Sequence, residues 1–139
     1  MHTVLIIDDE KPILDSLFSI LTDEGFRILK ATDGNEGLSI FESEKPDVVL
    51  LDVWMPGMDG LQILSRIKKK DNKAIVIVIS GHGTISTAVE AVKRGAYDFL
   101  EKPLSIEKVL EVIYRGLGLD SVRSIGTENM SVGITKGSD

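Results

Sequence analysis

The sequence contains no cysteine among its 139 residues. Disulfides and thiolate metal sites are therefore excluded, and the lack of thiols fits a reducing, cytoplasmic setting. No apolar run approaches the roughly 18 residues that a membrane-spanning helix needs. The start, Met1-His2-Thr3-Val4, enters a strand-like run at once and lacks the charged opening and long apolar stretch of a signal peptide. A G-x-x-x-x-G-K-[ST] phosphate loop is absent, and so is any internal repeat. Positive charge is not in excess: 16 Lys and Arg stand against 22 Asp and Glu, a formal net charge of −6. That balance argues against non-specific binding of nucleic acid or of an anionic membrane by this segment.

What is present is ordinary globular composition, 42% hydrophobic and 27% charged, in a chain long enough for one domain with a proper core. Its organising stretch is Asp47 to Gly60, D-V-V-L-L-D-V-W-M-P-G-M-D-G. Val48 to Leu51 is wholly apolar, as a strand buried on both faces should be, and it ends in Asp52. Three other apolar runs end in the same way. Val4-Leu5-Ile6-Ile7 leads into Asp8-Asp9-Glu10, Ile75 to Ile79 into Ser80-Gly81-His82-Gly83, and Tyr97 to Leu100 into Glu101-Lys102-Pro103. A mixed run from Phe26 to Ala31, with R-I-L-K in its middle, reads as an edge strand.

Helical periodicity fills the gaps between these strands. Ile13, Leu14, Leu17, Phe18 and Leu21 precede a stop at Gly25, and Leu38, Ile40 and Phe41 precede Pro46. Leu61, Ile63, Leu64 and Ile67 lead into Lys68-Lys69-Lys70, whose charges suit a helix C-terminus. Ile85, Ala88, Val89 and Val92 share one face of a fourth helix. Ser105 can cap a fifth, with Ile106, Val109, Leu110 and Ile113 facing inward. Five βα units with short connections predict an α/β fold: a doubly wound, five-stranded parallel sheet, because right-handed crossovers need helices. From Gly116 the composition turns to Gly, Ser and Thr. We therefore expect a domain over 1–118 and a linker or flexible tail over 119–139, with a weak strand signal near Met130 to Thr135.

Parallel strands bring their carboxyl ends to one crevice, which would hold Asp8, Asp9, Asp52, Ser80 and Lys102. Carboxylates crowded there repel, by about 4 kcal/mol for two unit charges about 4 Å apart at an effective dielectric near 20. A hard divalent cation relieves that repulsion, and oxygen ligands without His or Cys favour Mg²⁺. Lys102 adds a point charge and Ser80 a hydroxyl donor. The set suits phosphoryl transfer to a carboxylate nucleophile. Chemistry alone does not choose Asp52 over Asp8 or Asp9.

The chain resembles the receiver domain of two-component response regulators. The matching residues are Ile6-Ile7-Asp8-Asp9-Glu10, Leu51 to Gly60, Ile79 to Gly83 and Gly95 to Leu104, in matching order over about Thr3 to Gly116. The resemblance implies a flavodoxin-like strand order 2-1-3-4-5. It implies that Asp52 accepts a phosphoryl group from a sensor histidine kinase, with Mg²⁺ held by Asp8 or Asp9 (Asp9 the more direct), Asp52 and the backbone carbonyl of Trp54. It also implies a switch hydroxyl at Ser80, the phosphoryl-binding lysine at Lys102, a cis peptide bond before Pro103 and a switch aromatic at Phe99. The family often has Tyr at that last place, and Phe lacks the hydroxyl. The implied output is a conformational change that controls a downstream domain or protein, with transcription regulation as the end point. Homodimerisation through helix four, strand five and helix five is implied as well.

The nitrogen-regulation type of receiver fits best, either as an excised N-terminal domain or as a single-domain regulator. The domain would be a signalling phosphoprotein that assists its own phosphorylation and dephosphorylation, not an enzyme. A haloacid-dehalogenase-like phosphohydrolase would need a second Asp two residues after Asp52, where Trp54 stands. A pseudo-receiver would lack part of the set Asp9, Asp52, Ser80, Lys102.

Overall fold

The computed structural model describes residues 1–55 and 58–119. It divides into two compact units, Met1–Pro103 and Leu104–Asp139. The first unit holds five parallel strands: β1 (Thr3–Ile7), β2 (Arg27–Ala31), β3 (Val48–Asp52), β4 (Ile75–Ser80) and β5 (Asp98–Glu101). Their order is β2-β1-β3-β4-β5, as expected from the sequence. Four helices join them: α1 (Lys11–Asp23), α2 (Gly34–Glu44), α3 (Gly60–Lys70) and α4 (Ile85–Lys93). The second unit contains α5 (Ile106–Gly116), with Val109, Val112 and Ile113 buried. Apart from Leu119, the expected tail and its weak strand signal lie outside the described residues.

The central strands are apolar along their whole length because both of their faces are covered. Successive side chains alternate between faces. Leu5, Ile7, Val49, Leu51, Val76 and Val78 join one cluster with Leu38 and Phe41 of α2 and Ile63, Leu64 and Ile67 of α3. Val4, Ile6, Val48, Leu50, Ile77 and Ile79 are equally buried but take the alternate positions. The edge strand β2 exposes Arg27 and Lys30, in keeping with its mixed sequence.

Helix starts follow local chemistry. Asp33 accepts from the Glu36 amide (2.8 Å), and the Glu36 carboxylate reaches back to the Thr32 amide (2.8 Å). Asp59 accepts from the amides of Leu61 and Gln62 and so caps α3. Thr84 caps α4 through the Thr87 amide, and Ser105 caps α5 through the Lys108 amide.

Three details add to or depart from what the sequence suggests. Trp54–Met55 and Met58–Asp59 pair as a short antiparallel ribbon. The fifth strand begins at Asp98, although the Tyr97 amide already donates to the Val76 carbonyl (2.7 Å). The apolar face of α4 points to solvent: Ile85 is 85% exposed and Val89 and Val92 are also exposed, while Ala91 is the buried residue.

Gly60 opens α3 directly against the chain that leaves β3. A Cβ there would lie 2.2 Å from the Val53 Cα, so backbone would have to move. A Cβ at Gly37 would meet the end of the Ile7 side chain instead, at 2.4 Å from Cδ1. Overpacking costs typically about 1–3 kcal/mol. We expect Gly60→Ala to fall at or above the top of that range and Gly37→Ala nearer its bottom, because a side-chain terminus yields more readily than a main chain. Urea unfolding of the two variants checks this, and equal losses would contradict the packing described.

Candidate functional site

The parallel register sets the site. Ile7 pairs with Leu51, so Asp8 and Asp52 follow on neighbouring strands. Asp52 pairs with Ile79, one residue before Ser80, and Ser80 pairs with Glu101, one residue before Lys102. The Asp8 amide donates to the Ala31 carbonyl and the Lys102 amide to the Ser80 carbonyl, both at 3.0 Å, which carries the ladder into the site. Asp8 (1% exposed), Asp52 (2%) and Ser80 (1%) are buried polar residues at the carboxyl edge.

Lys102 ties the group together. Its Nζ lies 3.0 Å from Asp8 Oδ2 and 3.0 Å from Asp52 Oδ2, and it also pairs with Glu10 Oε1. Both oxygens of Asp52 are thereby fixed, since Oδ1 accepts from the Trp54 amide at 2.8 Å. Asp8 is less well served. Its Oδ1 accepts from the Glu10 amide (2.8 Å), but its Oδ2 has no aligned hydrogen-bond donor even though the ammonium is close. The Lys102–Pro103 peptide bond is cis.

Burial raises the pKa of Asp8 above the usual carboxylate range and the Asp52 charge adds to this, against the opposing pull of the Glu10 amide and Lys102. Burial disfavours the charge on Lys102, but its contacts with Glu10, Asp8 and Asp52 outweigh that and hold the ammonium protonated well above its ordinary range.

Ligand oxygens of Asp8, Glu10 and Asp52 lie within 4.8 Å of one another. Among the described residues, three carboxylates face a single ammonium, one buried oxygen lacks a donor, and no sulfur or imidazole takes part. This donor set fits a hard divalent cation. Asp9 is exposed and stands outside the group, whereas Glu10, not singled out in the sequence, stands inside it. The signal for Glu10 is the i, i+2 turn that starts at Asp8, which folds the Glu10 amide back onto the carboxylate.

Around this centre, Ser80 Oγ accepts from the His82 amide at 3.1 Å. Phe99 is half-buried against the core, and its ring occupies the space a side chain at Gly83 would need: Cζ is 2.5 Å from where that Cβ would be. Trp54 is 61% exposed, so its side chain is outside the core while its amide serves Asp52.

The electrostatics predict a graded set of metal-free stabilities. Asp8→Asn should melt higher than the parent at neutral pH, because it removes a buried charge with an unserved oxygen. A carboxyl whose folded pKa is raised favours the fold while protonated and loses that contribution as pH rises through the raised value. The gain should therefore shrink as the pH falls through that raised value, where the parent Asp8 also becomes neutral. Asp9→Asn should change stability by less than about 0.5 kcal/mol. Lys102→Met should cost about 3 kcal/mol, since it strands buried carboxylates. Thermal melts in EDTA across pH measure all three.

Residues 4–114 match the family described as "Response regulator receiver domain". The chain is 42% identical over 118 residues to the nitrogen assimilation regulatory protein NtrX of Azorhizobium caulinodans, covering 84% of this chain and 26% of that protein. It is 39% identical to the chemotaxis protein CheY of Listeria monocytogenes, covering 81% of this chain and 96% of CheY. Among solved structures, the beryllofluoride-activated NtrC4 receiver domain dimer superposes with a TM-score of 0.81 at 42% identity, covering 85% of this chain and 98% of that one. The chain thus spans about a quarter of the NtrX relative and nearly the whole of the CheY relative. Family match, strand order and the acidic crevice agree, and the chain belongs to the response regulator receiver domain family.

Proposed function

We propose that this domain is the phosphoacceptor of a two-component pathway. A phosphohistidine on a sensor kinase donates its phosphoryl group to Asp52, and the phosphorylated domain controls an output, transcription in the nitrogen-regulation type. The observation that carries the assignment is the double anchoring of Asp52, with Oδ1 on the Trp54 amide and Oδ2 on Lys102 at the end of a wholly buried strand. Such anchoring holds the carboxylate in one orientation for attack on phosphorus. Burial pushes the Asp8 carboxyl above the usual carboxylate range, which suits it less as a nucleophile.

Asp8, Asp52 and Glu10, whose carboxylate oxygens already lie together, would hold Mg²⁺ with the Trp54 carbonyl. Asp9, the ligand the family resemblance implies, is exposed and would have to turn inward to join them. Bound there, Mg²⁺ supplies positive charge to the phosphoryl oxygens. Lys102 is the protein's own cation for those oxygens, and the Ser80 hydroxyl can turn from accepting the His82 amide to donating toward them. Phe99 and the loop at Gly83 would follow Ser80, which is how the site would reach the surface. The domain would act in the cytoplasm and turn over no substrate beyond its own phosphoryl group.

Acetyl phosphate with Mg²⁺ should add one labile phosphoryl group per chain by intact mass. EDTA should prevent it, and Asp52→Asn should abolish it in a protein that still melts cooperatively. Undiminished labelling of the folded variant would overturn the assignment.

The exposed Ile85, Val89 and Val92 of α4 supply apolar surface for the expected phosphorylation-linked homodimer. Beryllofluoride with Mg²⁺ should shift the parent to a dimer in size-exclusion chromatography with light scattering. Val92→Asp should stay monomeric while retaining acetyl-phosphate labelling, and an undisturbed dimer in that variant would exclude this face.

A further inference from the structure

Two rings stand at the solvent side of the site with no place in the chemistry above. Trp54 lies two residues after Asp52, and His82 two residues after Ser80. Their backbones are part of the site: the Trp54 amide donates to Asp52 Oδ1 (2.8 Å) and the His82 amide to Ser80 Oγ (3.1 Å). Their side chains leave it and meet each other, with centroids 5.2 Å apart and planes tilted by 33°. Trp54 is nevertheless 61% exposed. A large aromatic residue held against an imidazole, tethered by its amide to the phosphoacceptor and still mostly open to solvent, has surface to offer an incoming group.

In-line transfer defines where that group arrives. The attacking Asp52 oxygen and the leaving atom stand on opposite sides of phosphorus. Asp52 is buried and the donor comes from solvent, so the leaving group stays on the outer side, at the level of the loops that carry Trp54 and His82. We propose that the Trp54–His82 pair is a platform for a planar nitrogen-heteroaromatic leaving group, the imidazole of the phosphodonor. The proposal rests on Asp52 being the phosphoacceptor and deepens that reading by naming what recognises the donor. In the step, an Asp52 oxygen forms the new P–O bond, the P–N bond breaks, and the leaving nitrogen keeps the bonding pair and takes a proton from water. The His82–Trp54 pair already places an imidazole beside this indole, within the centroid range of aromatic pairs and in a tilted geometry. Ring contacts of this kind contribute about 0.5–1.5 kcal/mol, roughly a two- to tenfold effect on rate.

The test compares two small donors that share P–N chemistry and differ in the ring: phosphoimidazole and phosphoramidate, whose leaving group is ammonia. The Mg²⁺-dependent labelling rate of each is measured by intact mass for the parent, Trp54→Ala, Trp54→Phe and His82→Ala. The ratio of the phosphoimidazole rate to the phosphoramidate rate should fall roughly three- to tenfold in Trp54→Ala. It should be largely kept in Trp54→Phe and fall by an intermediate factor in His82→Ala. An unchanged ratio in Trp54→Ala overturns the platform, whether both rates persist or both decline, because Trp54 would then act through its backbone alone. A parent that neither donor labels defeats the phosphoacceptor reading itself, which separates the two failures.

Discussion

One ammonium holds this site together. Lys102 reaches from the end of β5 to carboxylates that follow β1 and β3, and its own amide is bonded to the Ser80 carbonyl at the end of β4. Without that charge, Asp8 and Asp52 would face each other buried, at a cost of several kcal/mol. The Glu10 contact is more open to solvent and contributes less. Even with Lys102 in place, negative charge exceeds positive. The crevice is thus stable enough to fold and unbalanced enough to want a cation, and the unserved Oδ2 of Asp8 expresses the same deficit, while burial first and the Asp52 charge second raise its proton affinity.

The fold exists, in this sense, to deliver four strand ends to one point. Parallel pairing with buried apolar runs fixes the register, and register places Asp8, Asp52, Ser80 and Lys102 without help from any loop. Loops then supply what must differ or move. The segment after β3 carries the Trp54 amide to Asp52 and returns to cap α3 through Asp59. The segment after β4 sets the His82 amide on Ser80 and leaves Gly83 bare, so that the Phe99 ring can lie against it.

Much of this was legible in the sequence because four apolar runs each end in a polar group. Such runs announce both a buried parallel sheet and the edge where its chemistry lies. What escaped depends on distance in three dimensions. Asp8 and Asp9 are neighbours in sequence, but the ladder continues through Asp8, so alternation turns Asp9 outward. Glu10 joins the cluster through the turn that folds its amide onto Asp8 and through a contact with Lys102, 92 residues later. The ribbon at Trp54–Met55 and Met58–Asp59 is too short to show a period. Helical spacing placed Ile85, Val89 and Val92 on one face of α4 but held no information on whether that face meets the core or solvent.

The central claim is that Asp52, and not a neighbouring carboxylate, becomes the acyl phosphate. Borohydride reduces an acyl phosphate to the alcohol, converting a phosphorylated aspartate to homoserine. The most direct measurement is peptide mapping of the parent chain after Mg²⁺ and acetyl phosphate followed by borohydride. The account predicts homoserine at position 52 and unmodified aspartate at positions 8 and 9. Homoserine at position 8 or 9, or label that survives as a stable phosphoester elsewhere, would contradict it.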